Sequence, residues 1–145
     1  MKVYSLATTY AVIENPIFGS ITLAGGGKNL GSITVTQEAD NFSHVGYADG
    51  SHAVTFNAFR GGEVTFAFNQ ATPLLAQLTD FNNFCYNNHT QSVSKMIIRD
   101  ESGVIAQTLL SVFPTRIPDT ALEAESQDRT WVFLYGDREV SDGGI

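Results

Sequence analysis

The chain holds one cysteine, Cys85, in 145 residues. No internal disulfide can form, so stability has to come from a packed core, and the usage fits a reducing compartment. Basic residues are scarce: 8 Lys and Arg stand against 15 Asp and Glu, a net charge of −7. Such a chain repels polyanions, which excludes nucleic-acid binding driven by charge. No apolar run approaches the ~18 residues that cross a bilayer. Lys2 is followed by no apolar stretch of the kind a secretory signal carries. No membrane association is expected, and the glycosylation triplet Asn88-His89-Thr90 reads as a chance match. The sequence also lacks HExxH, GxSxG, CxxC and GxGxxG patterns, so neither catalysis nor a cofactor is expected. Gly25-Gly26-Gly27-Lys28 has the look of a phosphate loop, but Asn29 stands where Ser or Thr would hold a magnesium ion. It reads as a flexible hairpin loop.

What the chain does have is alternation. Residues 32–38 place Ile33 and Val35 on one face and Thr34, Thr36 and Glu38 on the other. Residues 63–69 place Val64, Phe66 and Phe68 against Thr65, Ala67 and Asn69, a strand buried on one side with a polar second face. Further strands are predicted over 8–13, 18–23, 53–59, 93–99, 104–113 and 130–135, with 101–103 as a short turn. Trp131 and Phe133 alternate with Val132 and Leu134, which reads as a fully buried strand. A long loop is expected between Phe113 and Thr130, and the tail 141–145 reads as frayed or bound at an interface.

One helix interrupts the strands, over about residues 73–87. Thr72 is a suitable N-cap, and Pro73 suits the first helical position because its missing N–H costs nothing there. Leu74, Leu78, Phe81 and Cys85 make one apolar stripe. Cys85 therefore reads as a small core hydrophobe and not a nucleophile. The expected fold is mainly β: an antiparallel β-sandwich or barrel with one flanking α-helix. Residues 1–145 form a single domain, able to bury about 70% of its unfolded surface.

The stretch 40–57 departs from this pattern. Asp49-Gly50 predicts a tight type I′ hairpin turn, in which both central residues take positive φ. The arm before it is polar, with Asn41, Ser43 and His44, yet it carries Phe42, Val45 and Tyr47. A polar arm dotted with aromatics belongs on a surface or against another subunit. Phe42, His44, Tyr47, Asp49 and Gly50 are the candidate subunit-interface residues, with Phe42 and Tyr47 as anchors. His44, Asp49 and His52 are metal-ligating types at close spacing, but the nearby tight turn and the lack of an orienting partner make polar surface residues the preferred reading, and no metal is expected.

The order of these signals resembles the tail tube proteins of contractile-tailed bacteriophages, which are related to the inner-tube protein of type VI secretion systems. The resemblance covers roughly residues 7–144 and is sharpest at Gly46-Tyr47-Ala48-Asp49-Gly50, at Gly62-Glu63-Val64-Thr65 and at Thr72-Pro73. It implies a structural subunit of six-membered rings that stack into a hollow tube, with neighbouring sheets joined around the lumen. It further implies a sheath protein outside, and a tape-measure protein and then DNA inside without specific binding. The setting would be the virion tail, assembled in the bacterial cytoplasm. On that reading the polar faces carrying Thr34, Thr36, Glu38, Thr55, Asn57, Glu63, Thr65 and Asn69 are candidates for the lumen. A small-ligand-binding β-barrel is the alternative, and it requires an enclosed apolar cavity.

Overall fold

The computed structural model describes residues 8–24, 29–70, 72–90, 93–100, 106–120, 122–125 and 127–141. The expected glycine loop at 25–28, the turn at 101–103 and the end of the tail lie outside the described residues. Among the described residues, ten strands and one helix follow in the order β1 (Thr9–Asn15), β2 (Gly19–Ala24), β3 (Leu30–Gln37), β4 (Phe42–Gly46), β5 (His52–Phe56), β6 (Gly62–Asn69), α1 (Leu75–Asn87), β7 (Ser94–Asp100), β8 (Ala106–Pro114), β9 (Asp128–Tyr135) and β10 (Asp137–Val140).

Alternation decides which face of each strand turns inward. Val64, Phe66 and Phe68 of β6 are fully buried, as are Trp131 and Phe133 of β9. Because β6 and β9 pair with Phe66 opposite Trp131 and Val64 opposite Phe133, their apolar faces form one continuous wall. Phe66 and Phe133 meet edge to face with centroids 5.9 Å apart. Each such side chain contributes about 1.5–3 kcal/mol on burial. Leu134, however, is 45% exposed. β9 is thus half-buried and not the fully buried strand its composition suggests, because Val132 and Leu134 point to the opposite face.

The strand order β2-β1-β7-β8-β9-β6-β3 folds over a single core as a sandwich, with β10 paired to β8. The path ends in β2 and β3, so the sheet is open and not a closed barrel. The corner lies in β8. Its residues 107–110 pair with β10, while Phe113 and Pro114 pair with β9. Between them Ser111 takes φ 59°, and Gly136 opposite donates its N–H to the Leu110 carbonyl at 2.9 Å. β10 itself escapes sequence reading. Asp-Arg-Glu-Val has no apolar face to betray it, and it forms by extending β9 past the bend at Gly136.

α1 closes one side of the core with Leu78, Phe81 and Cys85. Phe18, in the β1–β2 turn, packs between Phe81 and Phe84 at centroid distances of 5.4 and 5.3 Å. Asn15 holds that turn: its Oδ1 accepts from the N–H groups of Ile17 and Phe18, and its Nδ2 donates to Ser94 on β7. The helix starts later than predicted. Thr72 Oγ1 accepts from Leu74 N at 3.3 Å, but this bond closes a turn at Pro73-Leu74. Leu74 is then the N-cap, with no side-chain cap bond. Buried Leu74 is worth more to the core than a capped first turn is to the helix. Cys85 is buried as well, and desolvation pushes its thiol up to about 11.

Candidate assembly surfaces

Two surfaces stand out from this body. The first is the outward face of β9, β6 and β3. Antiparallel register lines up Thr34, Thr65 and Val132 in one row, Thr36, Glu63 and Leu134 in the next, then Ala67 with Thr130 and Asn69 with Asp128. Of the predicted lumen residues, Thr34, Thr36, Glu63, Thr65 and Asn69 therefore share one face. Glu38 lies just past β3, but it lines the same shallow depression as Thr36 and Glu63. Thr55 and Asn57 are elsewhere, on and just after β5 in a separate two-stranded sheet.

A groove of about 660 Å³ runs along this face between β9 and the segment after β8. The Thr115 N–H and hydroxyl both bond the Val132 carbonyl at 3.0 Å, which pins that segment. Arg129 donates to Thr120 Oγ1 at 3.1 Å. The groove mixes signs, with Glu63, Asp119 and Asp128 against Arg116 and Arg129.

The second surface is the β4–β5 hairpin, exposed along both strands. Its turn differs from the expected type I′. Gly50 has φ 90°, whereas Asp49 has no positive φ. Gly50 N donates to the Tyr47 carbonyl and Tyr47 N to the Ser51 carbonyl, making a longer connection closed by a left-handed glycine. Asp49 stabilises it by accepting from Ser51 N and Oγ, bonds that hold its carboxyl below the usual carboxylate range.

That change of turn resets the register by one residue, with a large consequence. A two-residue Asp49-Gly50 turn would set Ser43 opposite Phe56. The actual pairing sets Phe42 opposite Phe56 and His44 opposite Val54. Phe42, His44, Val54, Phe56 and His52 thereby share one face, with the two phenylalanine rings 5.2 Å apart. Phe42, Val54 and Phe56 are 66%, 59% and 64% exposed. Of the predicted interface residues, Phe42 and His44 lie on this face, and Tyr47, Asp49 and Gly50 form the tip. Phe56 and Val54 were missed, and the register was the signal that would have found them.

The hairpin foot is fixed to the body. Asn41 Nδ2 donates to the carbonyls of Asn57 and Phe59 at 2.8 and 2.9 Å, and its Oδ1 accepts from Gln37 Nε2 at 3.0 Å. Arg60 pairs with Asp137 at 2.7 Å. The chain leaves β5 at Phe56, earlier than predicted, because Asn57 to Arg60 serve this foot. Gly61 and Gly62 complete it. A Cβ at Gly61 would strike the Phe59 ring, and one at Gly62 the Thr36 carbonyl oxygen.

This open sandwich with one flanking helix has counterparts of similar fold among solved chains of contractile injection systems. A chain of the six-fold symmetrised anti-feeding prophage baseplate superposes with a TM-score of 0.64 at 15% identity, covering 100% of this chain and 99% of that one. A chain from the sheath/tube terminator of the extracellular contractile injection system PVC, in its extended state, also gives 0.64, at 11% identity over 97% of each. One from the PVC sheath-tube complex gives 0.55 at 10% identity, over 90% and 86%. No curated protein sequence matches. The family described as Bacteriophage PhiTE tail tube protein matches residues 1–143, and the chain belongs to it. By that membership it is a structural tail tube protein and not an enzyme.

Proposed function

We propose that this chain is the repeating subunit of an inner tail tube. Six copies close a ring, and rings stack head to tail into a hollow cylinder. The cylinder holds a tape-measure protein and then conducts DNA into the host. A sheath lies outside it, and assembly takes place in the host cytoplasm. The polar face of β3, β6 and β9 turns to the lumen. Thr55 and Asn57, on the arm, are assigned to contacts between subunits.

The exposed aromatic hairpin carries this reading. Phe42 and Phe56 together offer roughly 250 Å² of apolar surface to solvent, worth about 6 kcal/mol per subunit if covered, before the cost of association. An arm with a rigid foot and an uncovered aromatic face suits a socket on a neighbour. The edge strand β3, paired on one side with β6, offers its other side for sheet continuation between subunits. The six-fold symmetrised baseplate relative supports six as the ring number. The ligand-binding alternative is disfavoured, since Trp131, Phe66, Phe68, Phe81 and Phe133 fill the core.

Negative-stain microscopy of the purified protein over a concentration series is the test. Stacked tubes are expected. Single rings that never stack would point to a terminator role, and a sharp monomer at every concentration would refute the assembly reading.

A further inference from the structure

We propose that His44 and His52 form a cross-strand binding site for one late first-row divalent metal ion, Cu²⁺, Ni²⁺ or Zn²⁺. His44 lies opposite Val54, and His52, opposite Gly46, sits diagonally from it on the same hairpin face. The ring centroids are 6.1 Å apart, with the planes at 78°. Both residues are exposed, and neither ring hydrogen-bonds to a described residue, so in the free subunit their nitrogens are available; no partner orients the rings, the ground on which the sequence reading set a metal aside, and it is the hairpin register that brings them together.

The distance fits chelation. With a metal–nitrogen bond of about 2.0–2.1 Å, the ion lies about 3.2 Å from each ring centroid. Two rings sharing an ion then have centroids at most about 6.4 Å apart, about 5.2 Å at the tetrahedral angle and about 4.5 Å at the right angle of cis ligands on square-planar copper or nickel. The β4–β5 backbone sets both residues on one face, and binding requires side-chain rotation to close the remaining gap of about 1–1.6 Å and to turn one nitrogen of each ring toward the ion. Asp49 is not counted as a ligand, since its Oδ1 already accepts from Ser51. Water completes the coordination. Neutral imidazole selects copper, nickel and zinc over calcium and magnesium, with copper tightest. The bound ion would clip β4 to β5 beside the turn and stiffen the arm.

The test is calorimetric titration of the full chain, free of any affinity tag, with Cu²⁺, Ni²⁺, Zn²⁺ and, as a control, Mg²⁺. One ion per chain is expected, tightest for Cu²⁺, with Mg²⁺ silent. Binding should weaken by about tenfold or more in His44→Gln and in His52→Gln. It should be unchanged in His89→Gln, since that histidine lies beyond α1 and contacts the Tyr86 carbonyl. Electron paramagnetic resonance of the Cu²⁺ form reads the ligands without any substitution, and two imidazole nitrogens are expected. Absence of saturable binding below about 1 mM would overturn the proposal. So would undiminished binding in either hairpin variant, loss confined to His89→Gln, or a copper spectrum with fewer than two nitrogens.

Discussion

Asn41→Ala isolates the foot of the hairpin from the rest of the fold. Its amide makes three hydrogen bonds, two donated to the Asn57 and Phe59 carbonyls and one accepted from Gln37. Two are exposed and the third, from Gln37, is part-buried, so water replaces much of what is lost and the lower end of the usual range applies, about 0.5 kcal/mol each. The total, about 1.5 kcal/mol, corresponds to roughly a tenfold rise in the opened population. That cost falls on local opening. β4 and β5 form their own sheet, apart from the sandwich core. A two-stranded hairpin has little stability of its own, so its anchors govern how often it opens.

Hydrogen exchange reads this directly. The Asn57 amide, bonded to the Asn41 carbonyl, and the Tyr47 amide, bonded to Ser51, report on the arm. Amides of β6, paired on both sides by β3 and β9, report on the core. In Asn41→Ala the arm amides should exchange about tenfold faster and the β6 amides at the wild-type rate, with the melting temperature held. Asn41→Asp keeps the acceptor and loses both donors, so it should fall between. If exchange accelerates equally in β6 and in the arm, Asn41 supports the global fold and the arm is no independent unit. If neither changes, the foot does not restrain the arm.

Other substitutions test other parts. Phe42→Ala with Tyr47→Ala should leave the circular dichroism of the monomer unchanged and block polymerisation, and adding Phe56→Ala should deepen the block; normal tubes would dismiss the hairpin as an interface. Phe66→Ala should cost about 3–5 kcal/mol in denaturant unfolding, since the ring is fully buried. Gly62→Ala should cost about 1–3 kcal/mol, because its Cβ meets the Thr36 carbonyl and forces β3 from β6. Cys85, raised to about 11 by burial, should resist a thiol reagent until the chain unfolds. The neutral thiol is favoured in the folded state, so the stability linked to it is complete below pH 9 and is lost as the pH rises towards 11.

The elements legible in the sequence were those with a strong period. β3, β6 and the α1 stripe were readable because Val64, Phe66 and Phe68 alternate, and because Leu78, Phe81 and Cys85 recur at helical spacing. The elements lost were those set by contacts remote in sequence. β10 is charged and exists because β8 accepts it as a partner. The late start of α1 follows from burying Leu74. The face shared by Phe42 and Phe56 depends on one residue in the turn, and the Asp-Gly pair alone does not distinguish a two-residue loop from one closed by a left-handed glycine. Surface chemistry at Asn41 was legible as polarity, but its role required knowing that Gln37, Asn57 and Phe59 converge on it.

The acidity of the chain also needs placing before it explains a conduit. The net charge is −7, yet the groove on the polar sheet face holds Glu63, Asp119 and Asp128 against Arg116 and Arg129. With Glu38, which lies on the same face, four acids stand against two bases, so that face is only mildly acidic and most of the negative charge lies elsewhere. For a tube that must let a duplex pass, mild acidity serves better than strong repulsion, which would oppose entry, and better than attraction, which would hold the phosphates. The balance is also easy to upset. Glu38→Lys with Glu63→Lys shifts the charge by +4 per subunit, two reversals of two units each, within the depression both residues line. Repeated around a ring, that makes a positive band, and DNA should be retained in a salt-dependent manner as neutralised phosphates release counterions. Both side chains are exposed, so folding should survive. Intact mutant tubes that pass DNA freely at every salt concentration would show that this face looks outward, to the sheath or to solvent.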